Sequence, residues 1–218
     1  MLLGLVIKMD SMNLSELVDH AIARDGAVAH SSAVIQYVMH GGGVMLKAKN
    51  DHFDITLPLA TAEIRGLPVV KPSVKMTAIP AQFLSAIIDH AKARDYEVVY
   101  YVVKRPFSSK LELIVGQSGG VASIENIVDP VPDSQIVAQI HSHHHMEAFF
   151  SATDDANEQE FRLFGVVGRT QYARPHTCFR LGVHGYHFDI RAHDIFDDYG
   201  SVGSIDHFGS HMYKIKVE

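Results

Sequence analysis

The chain has 218 residues, 47% of them apolar, enough for one substantial domain and a smaller one. Its formal net charge of −6, with no Lys/Arg cluster and no aromatic–basic interleaving, argues against a nucleic-acid surface. One cysteine excludes a disulfide framework within a monomer and suits a reducing cytoplasm, the expected location.

The opening MLLGLVI (1–7) is too short to span a bilayer and lacks the basic start and cleavage site of a signal peptide. It predicts a first buried strand, and no membrane partner. Residues 14–25 (LSELVDHAIARD) read as an amphipathic helix ended by Gly26. After the Gly41-Gly42-Gly43 turn, residues 44–47 and 53–57 read as a hairpin around Asn50-Asp51. Residues 1–78 thus form an N-terminal α+β segment, and Pro68, Pro72 and Pro80 punctuate the passage out of it.

Residues 80–95 predict a helix opened by proline, with Phe83, Leu84, Ile87, Ile88 and Ala91 on one face. Glu97 follows and leads the apolar strand 98–103. On the residues alone, a solvated strand-end glutamate is the plainer account of Glu97; a carboxylate at the mouth of a buried strand otherwise needs a partner. Glu112 and Glu125 compete for any catalytic role, although Glu112 alternates with Leu111 and Leu113 as an outward strand residue does. Residues 17–30 (LVDHAIARDGAVAH) and 87–100 (IIDHAKARDYEVVY) share an aspartate, a histidine, two alanines, an arginine and a second aspartate, with Ala27 where Glu97 stands. A decayed duplication is one explanation. Two independent amphipathic helices is the plainer one, since nothing after Val28 keeps in step.

Residues 134–140 (SQIVAQI) alternate as a strand, so His141 and His143 project to the same side off its end. Ten residues after His143, Asp154 stands in a helix start, Ser151-Ala-Thr-Asp154, with Ser151 as N-cap and the helix running to Phe164 before Gly165. Two imidazoles and a carboxylate are three protein ligands for a zinc ion with a fourth position open, the pattern of catalytic rather than structural sites. Each part has an ordinary explanation: the chain has 15 histidines, SxxD is most often a capping box, and a run of histidines can be a solvated metal-scavenging tract. The joint spacing of strand, HxH, ten residues and a helix-opening aspartate favours the metal site.

Residues 164–168 predict a strand, and 178–183 with 186–190 a hairpin across His184-Gly185. His176, His184, His187 and His193 fall at surface or sheet-edge positions. Cys178 stands alone and no GxSxG occurs, so no covalent nucleophile is evident. The tail from about Asp197, rich in Gly, Ser and Asp, is expected to be mobile.

An upstream glutamate, HxH, ten residues and the aspartate of SxxD together resemble the motif of the JAMM metalloproteases of the JAB/MPN family. The string HSHHHMEAFFSATDDANE is most similar to the prokaryotic JAB branch called PRTRC system protein A. The resemblance covers residues 79–195 and departs from the family where prolines are common, at His144 and Phe150. It implies an α+β fold: a curved mixed β-sheet flanked by helices, with a JAB/MPN (cytidine deaminase-like) core, after a separate segment 1–78 and before a tail 196–218. It also implies zinc on His141, His143 and Asp154, Glu97 as general base and acid toward the attacking water, and Ser151 as donor to the oxyanion. The reaction implied is hydrolysis of peptide or isopeptide bonds after the tail of a ubiquitin-like protein. Two alternatives stand beside it. One is a noncatalytic MPN-type scaffold. The other is a cupin-like metal protein using His141, His143 and Glu147, although Gln135 and Asp154 occupy the places of that motif's glycines.

Overall fold

The computed structural model describes residues 17–26, 28, 31–116, 129–196 and 203–204. The expected strand 1–7, Glu125 and the tail beyond residue 196, apart from residues 203–204, lie outside the described residues. The described residues divide into two compact units, one up to Met76 and one from Thr77. Among the described residues both are built on mixed sheets with few helices, so their helical share is smaller than the sequence suggests.

The first unit is a five-stranded sheet in sequential order: β1 (Val18–Ile22), β2 (Ile35–His40), β3 (Gly43–Lys49), β4 (Phe53–Thr61) and β5 (Ser73–Met76). β1 and β2 run parallel and the other pairs antiparallel. The hairpin of β3 and β4 turns on Asn50, whose side-chain oxygen accepts from the amides of His52 and Phe53 at 2.9 and 2.8 Å. Gly43 has φ +126°, and a Cβ there would lie 2.1 Å from the carbonyl of Ala60. Only glycine fits that position.

Within the described residues the expected helix over 14–25 does not continue past Leu17: residues 18–22 are strand β1. The apolar spacing there suits either element, and β1 gains a complete ladder with β2 together with a hydrogen bond of 2.9 Å from Gln36 Nε2 to Asp19 Oδ2. Ala21 and Ala23 then pack with Val38, Met45 and Val70. Long-range pairing outweighs local helix propensity.

The second unit is a seven-stranded sheet of β6 (Val99–Lys104), β7 (Leu111–Val115), β8 (Ile136–Ser142), β9 (Leu163–Gly168), β10 (His176–Val183), β11 (Tyr186–Ile190) and β12 (Gly203–Ser204). Its order is β11-β10-β9-β8-β6-β7, with β12 pairing β10. β8 and β9 are parallel neighbours, and so are β10 and β12; the other pairs are antiparallel. Helix α1 (Ala81–Lys92) buries Leu84, Ile87, Ile88 and Ala91, and it ends three residues before the predicted Asp95. His90 on α1 meets the hydroxyl of Tyr100 at 3.0 Å, which places α1 on the sheet face of Tyr100 and Val102. On the same face the ring of Phe179 packs on that of Phe196, just after α3 (Ala192–Ile195).

The register pairs Val99 with His141 and Tyr101 with Gln139, so His141 lies on the opposite face from α1. On that face lies α2 (Ala152–Asn157), with six residues where the sequence suggests a helix reaching Phe164. Residues 161–168 are buried almost without interruption, and a central strand covered on both faces reads as a continuous apolar run. β9 therefore takes residues 163 and 164 from the helix. β8 starts at Ile136, after the short 3-10 turn Asp133–Gln135, and runs through Ser142.

Candidate metal centre

The end of β8 positions both histidines. His141 is its penultimate residue, and the amide of His143, one step beyond the strand, donates to the carbonyl of Val167 at 2.8 Å. The chain is then turned back by His144 at φ +47°. His141 and His143 are both buried, at 4% and 6% exposure. Their Nε2 atoms face each other at 3.1 Å.

Asp154 arrives from α2. Its Oδ2 accepts from the amide and the hydroxyl of Ser151 at 2.6 and 2.7 Å, while the Asp154 amide donates to Ser151 Oγ at 3.2 Å. This reciprocal capping box starts the helix and fixes the carboxylate. The other oxygen, Oδ1, lies 3.7 Å from His141 Nε2. The capping and metal-ligand explanations of the SxxD signal are therefore compatible, one for each carboxylate oxygen.

Among the described residues, His141, His143 and Asp154 each offer one ligand atom, all within 4.8 Å of one another. A zinc ion with bonds of about 2.0–2.1 Å in tetrahedral geometry holds its ligand atoms roughly 3.3 Å apart, between the two spacings His141 makes. The proton inventory points the same way. His143 Nδ1 lies 3.1 Å from the carbonyl of Glu147, which has no proton to give, so Nδ1 is the donor and Nε2 carries a lone pair. Burial pushes His141 down to about 4, against the pull of Asp154 and with His143 and Arg180 adding to the depression. Its imidazole is neutral at neutral pH. Two buried imidazoles with a carboxylate beside them fit a divalent cation.

Glu97 stands just before β6, next to this cluster. The strands are stitched there: the Val98 amide donates to Ser142 Oγ at 3.1 Å, and the Ser142 amide to the Val98 carbonyl at 3.0 Å. Glu97 is half-buried, and burial raises its pKa, with His143 opposing the rise and Asp154 adding to it. The strand-end glutamate is thus within electrostatic reach of His143 and Asp154. Glu112 is not: it is exposed and paired with Arg105 at 3.1 Å. The Glu147 carboxylate turns to Arg169 and His176, away from the ligand set that a cupin-like site needs.

Arg180 on β10 is a site residue that the sequence reading misses. It is 4% exposed, bonds Glu158 and Asp155, and lies 3.9 Å from the ring centroid of Phe150. Burial pushes the Glu158 carboxyl up to about 8, with Arg180 pulling it back through charge and a short double contact. A signal for it exists in the chain. An arginine in the apolar run Cys178-Phe-Arg-Leu-Gly-Val183 needs a buried partner.

No helix of the described residues is long and apolar enough to cross a membrane. Among curated proteins none matches the chain. Residues 130–182 match the family described as prokaryotic homologs of the JAB domain, Prok-JAB. The matched stretch contains His141, His143, Ser151 and Asp154, and Glu97 lies upstream of it. The segment that carries the three candidate ligands is therefore similar to a prokaryotic JAB domain.

Proposed function

We propose that the chain is a cation-dependent hydrolase of amide bonds of the JAMM type. His141, His143 and Asp154 hold the ion, for which zinc suits two imidazoles and a carboxylate. The observation that carries this is the convergence of two imidazole Nε2 atoms and Asp154 Oδ1, with the Glu97 carboxylate within electrostatic reach of His143 and Asp154. A divalent cation bound there supplies Lewis acidity, which polarises a carbonyl and makes hydroxide accessible near neutral pH.

The chain's own groups supply the rest. Glu97, with its pKa raised by burial, takes the proton of the attacking water and returns it to the leaving amine. Ser151 donates to the oxyanion. Its hydroxyl proton is held by Asp154 Oδ2 in this structure, so the hydroxyl must rotate as the tetrahedral intermediate forms. Burial pushes the Cys178 thiol up to about 12, far from a nucleophile, which agrees with hydrolysis without a covalent intermediate. The expected substrates are peptide or isopeptide bonds after the tail of a ubiquitin-like protein, by analogy with the JAMM enzymes that the motif resembles.

Metal analysis of the purified chain, combined with cleavage of ubiquitin-like fusions by wild type and Glu97→Gln, tests this. One cation per chain, and a variant that keeps its cation but loses hydrolysis, are expected. Unchanged turnover by the variant removes Glu97 from the role. A full cation site with no cleavage by wild type points to the noncatalytic scaffold.

A further inference from the structure

We propose that Glu147 is a positioning residue for the cation site, resting on the assignment of His143 as a ligand. Its carbonyl, in a turn seated on the bare Cα of Gly168, selects the His143 tautomer, and its carboxylate, held by Arg169 and His176, keeps that carbonyl in place.

Four observations converge on this. The His143 Nδ1 proton is donated to the Glu147 carbonyl at 3.1 Å, which leaves Nε2 free to face His141 Nε2 at 3.1 Å. The turn from His143 to Ala148 lies directly on Gly168 at the end of β9. A Cβ there would meet Met146 O at 2.4 Å, and Glu147 C and Ala148 N at 2.5 Å. All three are backbone atoms, so the turn itself must move if a side chain is added. Backbone bonds close the clamp: the Arg169 amide donates to Met146 O at 2.7 Å, the Thr170 amide to His144 O at 2.9 Å, and the Met146 amide to His143 O at 2.8 Å. The Glu147 carboxylate meets Arg169 Nη1 at 3.1 Å through one oxygen and His176 Nδ1 through the other. Arg169 reaches it from a backbone at φ +51°, which a non-glycine residue adopts only where its surroundings demand it.

The ion pairs are half-exposed and add little to overall stability. Their consequence is directional. A neutral imidazole bonded through Nδ1–H is fixed in ring angle and tautomer, and outer contacts of this kind govern metal affinity and leave the ligand set unchanged.

Cobalt(II) titration of the full chain against a competing chelator, read from the d–d absorption, is paired with 15N-histidine NMR of the metal-free protein. Glu147→Gln removes the charge and keeps the carbonyl; Gly168→Ala displaces the turn; Glu112→Gln removes another exposed ion pair, on β7. We expect affinity to fall by about threefold or more in Glu147→Gln and by about tenfold or more in Gly168→Ala. The His143 15N signals should move from a single Nδ1–H tautomer toward a mixture in both, and Glu112→Gln should match wild type. If Gly168→Ala does not fold, Glu147→Gln decides. Wild-type affinity and an unaltered His143 tautomer in Glu147→Gln overturn the inference while leaving the cation site intact. Failure of wild type to bind cobalt overturns both the cation site and the positioning role of Glu147.

Discussion

The guanidinium of Arg180 and the carboxylate of Glu158 meet inside the protein through Nε and Nη2 at 2.9 and 2.7 Å, with each side chain 5% exposed. Glu158 caps the C-terminus of the helix that presents Asp154, and Asp155 in its first turn bonds the same arginine. Phe150, immediately before the N-cap Ser151, lies under the guanidinium. A six-residue helix has no stability of its own, so this grip from β10 is what holds Asp154 near the histidines.

Arg180→Met leaves Glu158 buried without its partner. Metal-free stability should fall by about 3–5 kcal/mol in denaturant titration, the range for breaking a buried pair from one side. The double variant Arg180→Met/Glu158→Leu should recover much of that loss. Equal stability of the single and double variants would mean that the pair is not coupled.

Acid should destabilise the metal-free chain through His141. Folded, this imidazole is held near pKa 4, against an ordinary value of 6.5. Between those pH values the unfolded chain binds the proton and the folded chain does not, so stability falls as pH falls, by up to roughly 3 kcal/mol. Burial lowers His40 and His184 too, so the measurable quantity is the difference between wild type and His141→Gln. The variant's stability should depend less on pH between 6.5 and 4. Parallel curves would show that His141 titrates normally.

Asp154→Asn separates helix capping from ligation. An asparagine oxygen still accepts from the Ser151 amide, so the metal-free melting temperature should shift only a little. Wild type with zinc at about a hundred times its Kd should gain about 3 kcal/mol, and the variant should gain far less. An equal zinc-induced shift in both proteins would remove Asp154 from the ligand set.

Cys178 is 7% exposed, and burial pushes its thiol up to about 12, which leaves about one part in ten thousand as thiolate at pH 8. The native protein should resist a thiol reagent at that pH and react stoichiometrically in denaturant. Rapid native labelling would show that the packing of Ala148, Val166 and Cys178 opens readily.

Two stretches of nearly the same sequence show where sequence-level inference stops. Asp19-His-Ala-Ile-Ala-Arg-Asp25 and Asp89-His-Ala-Lys-Ala-Arg-Asp95 share six of seven residues, yet the first contributes to strand β1 and the second to helix α1. Local propensity is nearly equal in the two. β1 has β2 to pair with, while α1 has an apolar face, Leu84, Ile87, Ile88 and Ala91, seated on a sheet. The early end of α2 has the same cause: Leu163 and Phe164 gain more as a central strand beside β8 and β10 than as a further helical turn.

The hairpins, α1, β6 and the grouping of His141, His143 and Asp154 as candidate ligands were legible because each rests on a short-range pattern: period-2 alternation, 3.6-residue spacing, turn residues, and HxH followed by SxxD. The electrostatic proximity of Glu97 to His143 and Asp154, the buried Arg180–Glu158 pair and the Glu147 carbonyl behind His143 were decided only in three dimensions. Strand register and buried electrostatics join residues tens of positions apart, and a linear pattern carries no distance between them.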